Sequence, residues 1–259
     1  MRTLLLTLLL LSLIPPALAQ RVVSLMPSAT YMAVQIGADA NIVGRTAYCP
    51  PPAKGISSQT VGDVMTVNIE AIVALHPDAV IASNFTQQSV VDRLKALHIN
   101  VLTLSTPKSF TEICEQTSQI GSLTNHLPQA RAVCQAQSHA IDSIVATITP
   151  RPLSAYVQVG ANPLWGATPD YYIHDLLSRL SLRNILRNGE GGISREEIIR
   201  RNPDIIILST LGGLAPDEKA QWQRLSNAKV LIIDENELSC PTPLFFRLAL
   251  QKVCNALNP

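Results

Sequence analysis

Glu70 and Glu196 are the most informative pair of ionisable groups in this sequence. Each sits in the first turn of a near-duplicate stretch, NIEAIVALHPDAVIAS from Asn68 and SREEIIRRNPDIIILS from Ser194. With the two acids aligned, Ile72 matches Ile198, Pro77-Asp78 matches Pro203-Asp204, and Ser83 matches Ser209. Carboxylates at equivalent points of a repeated unit suit a two-point, charge-assisted contact with arginine forks. Either acid alone is also what the positive end of a helix favours. Asn68 is a good N-cap. Ser194 and Glu197 have capping-box spacing, which accounts for Glu197 but not for Glu196.

No other reactive group has catalytic spacing. The chain holds no G-x-S-x-G, H-E-x-x-H, P-loop or G-x-G-x-x-G, so an enzyme is not expected. A secreted two-lobed enzyme stays as a distant alternative, because a fold does not exclude a function. His76, His98, His126, His139 and His174 form no metal-spaced group, and no C-x-x-C supports a cysteine site, so neither metal nor cofactor is expected. His76 and His98 fall at helix ends, where a cation is favoured.

The cysteines are Cys49, Cys114, Cys134, Cys240 and Cys254. An odd count leaves at least one without a partner in the chain. Cys114 and Cys134 lie about equally far from Thr124 on successive helices, so an antiparallel helix pair brings them together as a candidate disulfide. Cys49 and Cys240 sit in Pro-flanked loops, YCPPP and SCPTP. A bridge between those two would staple the halves of the chain and is the weaker alternative.

The elements that must position these groups begin after a leader. MRTLLLTLLLLSLIPPALA has a basic start, an apolar run and an Ala-Leu-Ala ending, which reads as a signal peptide over 1–19 cleaved before Gln20. Its apolar run is too short to span a bilayer. The 20 basic and 19 acidic residues become even once Arg2 leaves with it. That balance argues against a nucleic-acid surface.

Strands and helices then alternate. VVSLM, NIVGR, 79–83 and NVLTLS read as strands; 69–75, QQSVVDRLKALHI and FTEICEQTSQIGSL read as helices. Such alternation predicts a parallel sheet covered on both faces. The uninterrupted run from Leu127 to Thr149 predicts a helix about 30 Å long. Alternation restarts after Pro152, with strands at LSAYVQVG, DIIILST and KVLIID and helices at DYYIHDLLSRL, EEIIRR, DEKAQWQRL and LFFRLALQKVCNAL. The expected organisation is an N-terminal α/β lobe over 20–125, a connecting helix over 126–149 and a C-terminal α/β lobe over 150–259. A ligand site belongs in the groove between lobes.

Aromatic residues make up only 4% of the chain, so those beside strand ends carry weight. Ligands of open α/β sheets bind past the C-terminal ends of strands. Tyr48 follows IVGR, Phe85 follows VIASN, and Trp165 follows VQVGANPL, with Asn162 and Asn84 as polar anchors. Phe246 follows the final strand and joins the candidate set. Tyr171, Tyr172, Phe245 and Phe246 stand at helix starts, where a core role is the commoner one.

RVVSLMPSAT, VGDVMTVNIEAIVALHPDAVIAS, the long mid-chain helix and ISREEIIRRNPDIIIL together resemble the periplasmic substrate-binding proteins of ABC importers for corrinoids, haem and ferric siderophores. IVGRTAYCPPP, QVGANPLW and LQKVCNAL bring the likeness nearest to the members that take vitamin B12. The resemblance implies two Rossmann-like lobes with mainly parallel sheets, joined by a single long connecting helix. It implies a periplasmic monomer that captures cobalamin or a related corrinoid in its inter-lobe cleft. Delivery to an ABC permease and its ATPase in the inner membrane follows, with Glu70 and Glu196 docking onto permease arginines. Haem and ferric siderophores are the alternative cargoes, and Tyr48 as tyrosinate would suit ferric haem. One departure stands out. RLSLRNIL lacks the Gly-Gly of relatives and the Cys that would pair with Cys254.

Overall fold

The repeated stretch folds the same way twice, down to single hydrogen bonds, in the computed structural model, which describes residues 20–51, 53–63, 66–211 and 215–258. The signal peptide expected over 1–19 lies outside the described residues. In the first copy, Asn68 caps helix α2 (Ile69–Ala74) by accepting from the Ala71 N–H at 2.8 Å. In the second, Ser194 caps α7 (Arg195–Arg201) by accepting from the Glu197 N–H at 3.3 Å. Both helices end on a left-handed residue, His76 at φ 45° and Asn202 at φ 44°. His76 therefore closes its turn, and His98, at φ 59°, does the same for the next helix. Asp78 then accepts from the Arg21 N–H at 2.7 Å, and its own N–H returns to the Arg21 carbonyl at 2.8 Å. Asp204 does the same with Ser154, at 2.7 and 3.0 Å. In each copy the Pro-Asp pair clamps the neighbouring strand at its start.

Those clamped strands lie at the heart of two sheets. The first sheet has the order β3-β2-β1-β4-β5, with β1 Val22–Ser24, β2 Ile42–Arg45, β3 Gln59–Thr60, β4 Ala79–Ser83 and β5 Asn100–Leu104. All its pairings are parallel. Val22, Val23, Val80 and Ile81 are fully buried, which is why VVS and AVIA read as unbroken apolar runs. The second sheet is centred on β6 (Ser154–Ala161). On one side lie β9 (Ile205–Ser209) and then β10 (Lys229–Ile233), both parallel to it. On the other side, antiparallel β7 (Leu164–Gly166) pairs with the end of β6 and parallel β8 (Arg183–Asn184) with its beginning.

The first lobe also carries α1 (Pro27–Gln35) and α3 (Gln88–Ala96). Between the sheets the chain forms a tight helical hairpin, α4 (Phe110–Leu123) and α5 (Leu127–Val145). A Cβ on Gly121 would come within 2.7 Å of the Ala130 Cβ, so the helices touch there backbone to side chain. The long helix ends at Val145 rather than Thr149, and the Thr147 hydroxyl donates to the Ile144 carbonyl at 2.7 Å. The β-branched run Thr147-Ile148-Thr149 before Pro150 is a weak helix former. The C-terminal part adds α6 (Tyr172–Arg179), α8 (Ala215–Leu225), α9 (Glu235–Ser239) and α10 (Pro243–Leu257).

The main core crosses both lobes. It joins Met32 of α1, Ile113 and Ile120 of α4, Ile141 of α5, Leu177 of α6, and Phe246, Leu250 and Val253 of α10. Smaller clusters cover the outer faces, around Ile72 and Leu94 in one lobe and around Tyr156 and Trp222 in the other. The lobes are thus fastened to a shared helical layer. Helix α10 reaches back to α1 through the Gln35 amide, which donates to the Thr242 hydroxyl at 2.8 Å. Edge-on packing of Tyr31 against Phe245, 4.8 Å between centroids, adds to this contact. Among the described residues no helix is long and apolar enough to cross a membrane.

Candidate ligand-binding cleft

A cavity of about 440 Å³ opens between the lobes. Its first-lobe wall comes from Leu25–Ser28 after β1, Ser83–Phe85 after β4, and Thr106-Pro107 after β5. Its second-lobe wall comes from Val159 on β6, Tyr171–Ile173 at the start of α6, Leu211 after β9, and Leu238–Pro241. The wall therefore gathers at the C-terminal ends of strands in both lobes, where parallel sheets place their ligands. Volume and apolar character match those of small-molecule pockets.

The floor is tied across the lobes. The Tyr172 N–H donates to the Pro107 carbonyl at 3.0 Å, and the Phe110 N–H to the Asp175 carboxylate at 2.8 Å. The buried Tyr172 hydroxyl donates to the Leu238 carbonyl, and burial pushes its pKa far above the usual phenol range, so it keeps its proton.

Two exposed apolar side chains face this cleft from equivalent positions of the repeat. The Phe85 N–H donates to Ser83 Oγ at 3.2 Å, and the Leu211 N–H to Ser209 Oγ at 3.2 Å. One residue earlier, the Asn84 N–H reaches the Leu104 carbonyl and the Thr210 N–H reaches the Ile233 carbonyl, both at 3.0 Å. Each turn holds its tip residue away from the core. Phe85 is left 68% exposed and Leu211 51% exposed.

Polar groups in the wall are hydroxyls, an amide and a thiol: Ser28, Ser83, Asn84, Thr106, Tyr171, Ser239 and Cys240. No Asp, Glu, Lys, Arg or His lines the cavity among the described residues. Cys240 stays a protonated thiol, pushed up to about 11 by burial and then by the carboxylate of Glu235. Behind it, Tyr31 is also raised, chiefly by burial.

The other expected site residues distribute unevenly. Asn84 lines the cleft beside Phe85. Tyr48 and Trp165 are 69% and 43% exposed and stand off the cavity wall; the Trp165 ring lies over Gly191 and Gly192. Asn162 is exposed at the end of the β6–β7 hairpin. Phe246 is a correction. It is fully buried, packed at 5.1 Å from the Phe110 ring and 6.3 Å from the Tyr172 ring, and belongs to the core. On α10, Phe246, Leu250 and Val253 share one helical face, and that face points inward. Sequence reasoning missed Leu211, although the repeat marks it: two residues past Ser209 corresponds to Phe85, two past Ser83.

Glu70 and Glu196 both stand exposed in first helical turns. Each helix leads directly into a strand whose far end opens on the cleft, so both helix starts lie at the cleft end of their lobes. Among the described residues neither acid has an ion pair. Their neighbour Glu197 is engaged, accepting from Arg200 at 2.7 Å and from Arg201 at 2.8 Å. The capping box is thus half made: Ser194 accepts from the Glu197 N–H, while the Glu197 carboxylate turns to the arginines. Glu196 is the acid left facing solvent, as Glu70 is.

Cys114 and Cys134 meet across the α4–α5 hairpin as thiols, with Cys134 Sγ 3.8 Å from the Cys114 carbonyl. Cys49 is buried beneath the first lobe's wall, its Sγ 3.2 Å from the Thr46 hydroxyl. Cys254 is buried on α10, its Sγ 3.8 Å from the Thr147 hydroxyl. No three His, Cys, Asp or Glu side chains converge to hold a metal among the described residues.

The sequence profile of the periplasmic binding proteins matches residues 22–231. The vitamin B12-binding protein of Photorhabdus laumondii is 28% identical over 247 residues, which is 92% of this chain and 88% of that protein. Its counterpart in Pectobacterium atrosepticum is 28% identical over 252 residues, covering 93% and 89%. Two solved structures share the fold. The periplasmic vitamin B12 binding protein BtuF of Vibrio cholerae superposes with TM-score 0.78 at 22% identity, covering 92% of this chain and 96% of that one. The periplasmic heme binding protein HutB of Vibrio cholerae superposes with TM-score 0.80 at 18% identity, covering 93% and 99%.

Proposed function

The chain belongs to the periplasmic binding protein family, and on that premise we propose that it captures vitamin B12, cobalamin, or a related corrinoid in the inter-lobe cleft and hands it to an ABC importer. The observation that carries this reading is the chemistry of the cleft wall. It is apolar, studded with hydroxyls and one amide, and free of charged side chains among the described residues. A corrinoid offers a flat apolar macrocycle fringed by neutral amides, which such a wall can cover and hydrogen-bond. Haem carries propionate carboxylates, and an anionic ferric siderophore calls for arginine or lysine. Burying those charges against this wall without partners is costly. The vitamin B12-binding relatives, similar over nine-tenths of the chain, support the same choice.

A corrinoid is larger than the cavity and stands partly outside it, with Phe85 and Leu211 as the first apolar lips it meets. Tyr48, Trp165 and Asn162 then become contacts for the outer part of the cargo. The cross-lobe bonds of the floor favour a cleft that is largely formed before the cargo arrives, with small lobe movements rather than wide closure. The reading is one of binding without chemistry, by a monomer in the periplasm whose leader ends near Ala19-Gln20. Glu70 and Glu196 would seat the loaded protein on arginines of the permease, whose ATPase drives uptake. Such contacts chiefly fix orientation and speed encounter.

The deciding experiment mixes the purified protein with cyanocobalamin, haemin and a ferric siderophore, records visible spectra, and titrates each by calorimetry. Cyanocobalamin should bind in the micromolar range or tighter, and the other two weakly. Tight haemin binding with a tyrosinate-type spectrum lost in Tyr48→Phe would replace the corrinoid reading by haem. Failure of cyanocobalamin to bind at micromolar concentration removes the corrinoid reading altogether.

A further inference from the structure

We propose that Cys114 and Cys134 form a thiol–disulfide couple that, when oxidised by a disulfide of the surroundings, staples the two helices on which both lobes rest. This is independent of the cargo. Cys134 Sγ donates to the Cys114 carbonyl at 3.8 Å, across the hairpin. The contact follows from the hairpin. Gly121 and Ala130 let α4 and α5 touch near the turn, and Cys114 and Cys134 stand farther along the same facing surfaces. Both are half-buried, so a small disulfide can reach them.

The other thiols differ on each count. Cys49 and Cys254 are 4% and 2% exposed. Cys240 lies within electrostatic reach of Cys49, but it is held protonated, its value raised to about 11. Cys134 is lowered, first by its contact with Cys114, while Cys114 is raised by the same contact. Negative charge on the pair is therefore favoured at Cys134 over Cys114, which sets the order of attack.

The chemistry balances as two exchanges. The Cys134 thiolate attacks one sulfur of a low-molecular-weight disulfide, breaking its S–S bond, making a mixed disulfide and releasing one thiol. With Cys134 capped, the negative charge that held the Cys114 proton is gone. The Cys114 thiolate then attacks the Cys134 sulfur, forming the Cys114–Cys134 bond and releasing the second thiol. The pair loses two electrons and two protons, and the external disulfide gains them.

The test uses the purified chain, fully reduced and then equilibrated in glutathione buffers of rising oxidised fraction. Samples are quenched in acid, alkylated with N-ethylmaleimide, digested and mapped by mass spectrometry. A peptide joining Cys114 to Cys134 should be half-formed at an oxidised-to-reduced ratio at least ~10-fold lower than any change at the other cysteines. Oxidation should also raise the urea midpoint of the wild type and leave that of Cys134→Ser unmoved. Alkylation of Cys114 and Cys134 across the whole series would overturn the proposal, as would joining of either to another cysteine. If Cys134→Ser fails to fold, the wild-type peptide map decides alone.

Discussion

Removing the ring of Phe85 separates a cleft residue from a core residue quantitatively. Phe85 is 68% exposed at the tip of its turn, so Phe85→Ala deletes little that the fold uses. Its effect on stability should stay within about 0.5 kcal/mol. A cargo that covers the ring removes that exposed two-thirds from water. Full burial of a phenylalanine side chain is worth about 1.5–3 kcal/mol, so the exposed share corresponds to about 1–2 kcal/mol. That weakens binding roughly 5- to 30-fold. Leu211, at 51% exposure, should lose about 0.8–1.5 kcal/mol as Leu211→Ala, or roughly 4- to 12-fold. Phe246→Ala provides the contrast. That ring is fully buried, and its loss should cost about 3–5 kcal/mol of stability through the cavity it leaves. Calorimetric titration with cyanocobalamin reads the first two effects, and urea unfolding reads the third. If Phe85→Ala and Leu211→Ala both bind within about twofold of wild type while staying folded, the cargo does not sit between these lips. The functional reading of the cleft would then fail with them.

Three further expectations rest on other parts of the molecule. Glu70→Ala combined with Glu196→Ala should leave cyanocobalamin affinity unchanged and weaken binding to the detergent-solubilised permease complex. Loss of cargo binding instead would mean that these acids belong to the cleft. Asn68→Ala and Ser194→Ala should each cost about 1 kcal/mol in urea unfolding. A large loss for one and none for the other would show the two copies to be unequal in energy despite their equal geometry. The third concerns acid. Glu190 is pulled down to about 2 from 4.5, first by its hydrogen bonds from Arg201 and then by the Arg187 N–H. Its folded value is depressed, so its contribution is present above 4.5 and is lost as pH falls toward about 2. Thermal melts across that window should fall less steeply for Arg201→Met than for wild type. A parallel decline in both would assign acid sensitivity to other groups.

Much of the architecture is legible in the sequence because its signals are long and periodic. The strand at 79–83 and the helix at 110–123 are found where the residues place them. The edge strands β3, β7 and β8 escaped notice because each has only two or three residues, too few for any period to register. What places them is pairing with a neighbour, a property of context rather than of composition. Phe246 lies in the first turn of its helix, close enough to the loop to look like a cleft residue. Its spacing from Leu250 and Val253 is that of a helix face, which is a core signal. Leu211 was missed for the opposite reason. Asn84-Phe85 and Thr210-Leu211 agree in backbone role alone, so residue types do not carry the repeat as far as Leu211. The cavity itself lies beyond such reading, because its walls come from stretches that only the lobe packing brings together.

The packing of α10 bears on how the chain can be made. Its residues 243–257 cover the faces of α4 and α5, and Arg247 fixes the contact by donating to the Gln137 side chain at 2.7 Å. A ribosome delivers the first sheet and the hairpin long before it delivers that cover. Until then Ile113, Ile120 and Ile141 lack the apolar partners that α10 supplies, although every strand of the first lobe is already present. The first lobe is thus a separate sheet whose helical layer stays open on one side until α10 arrives. A nascent chain of this protein should remain pliable, and open to chaperones, until its closing helix emerges.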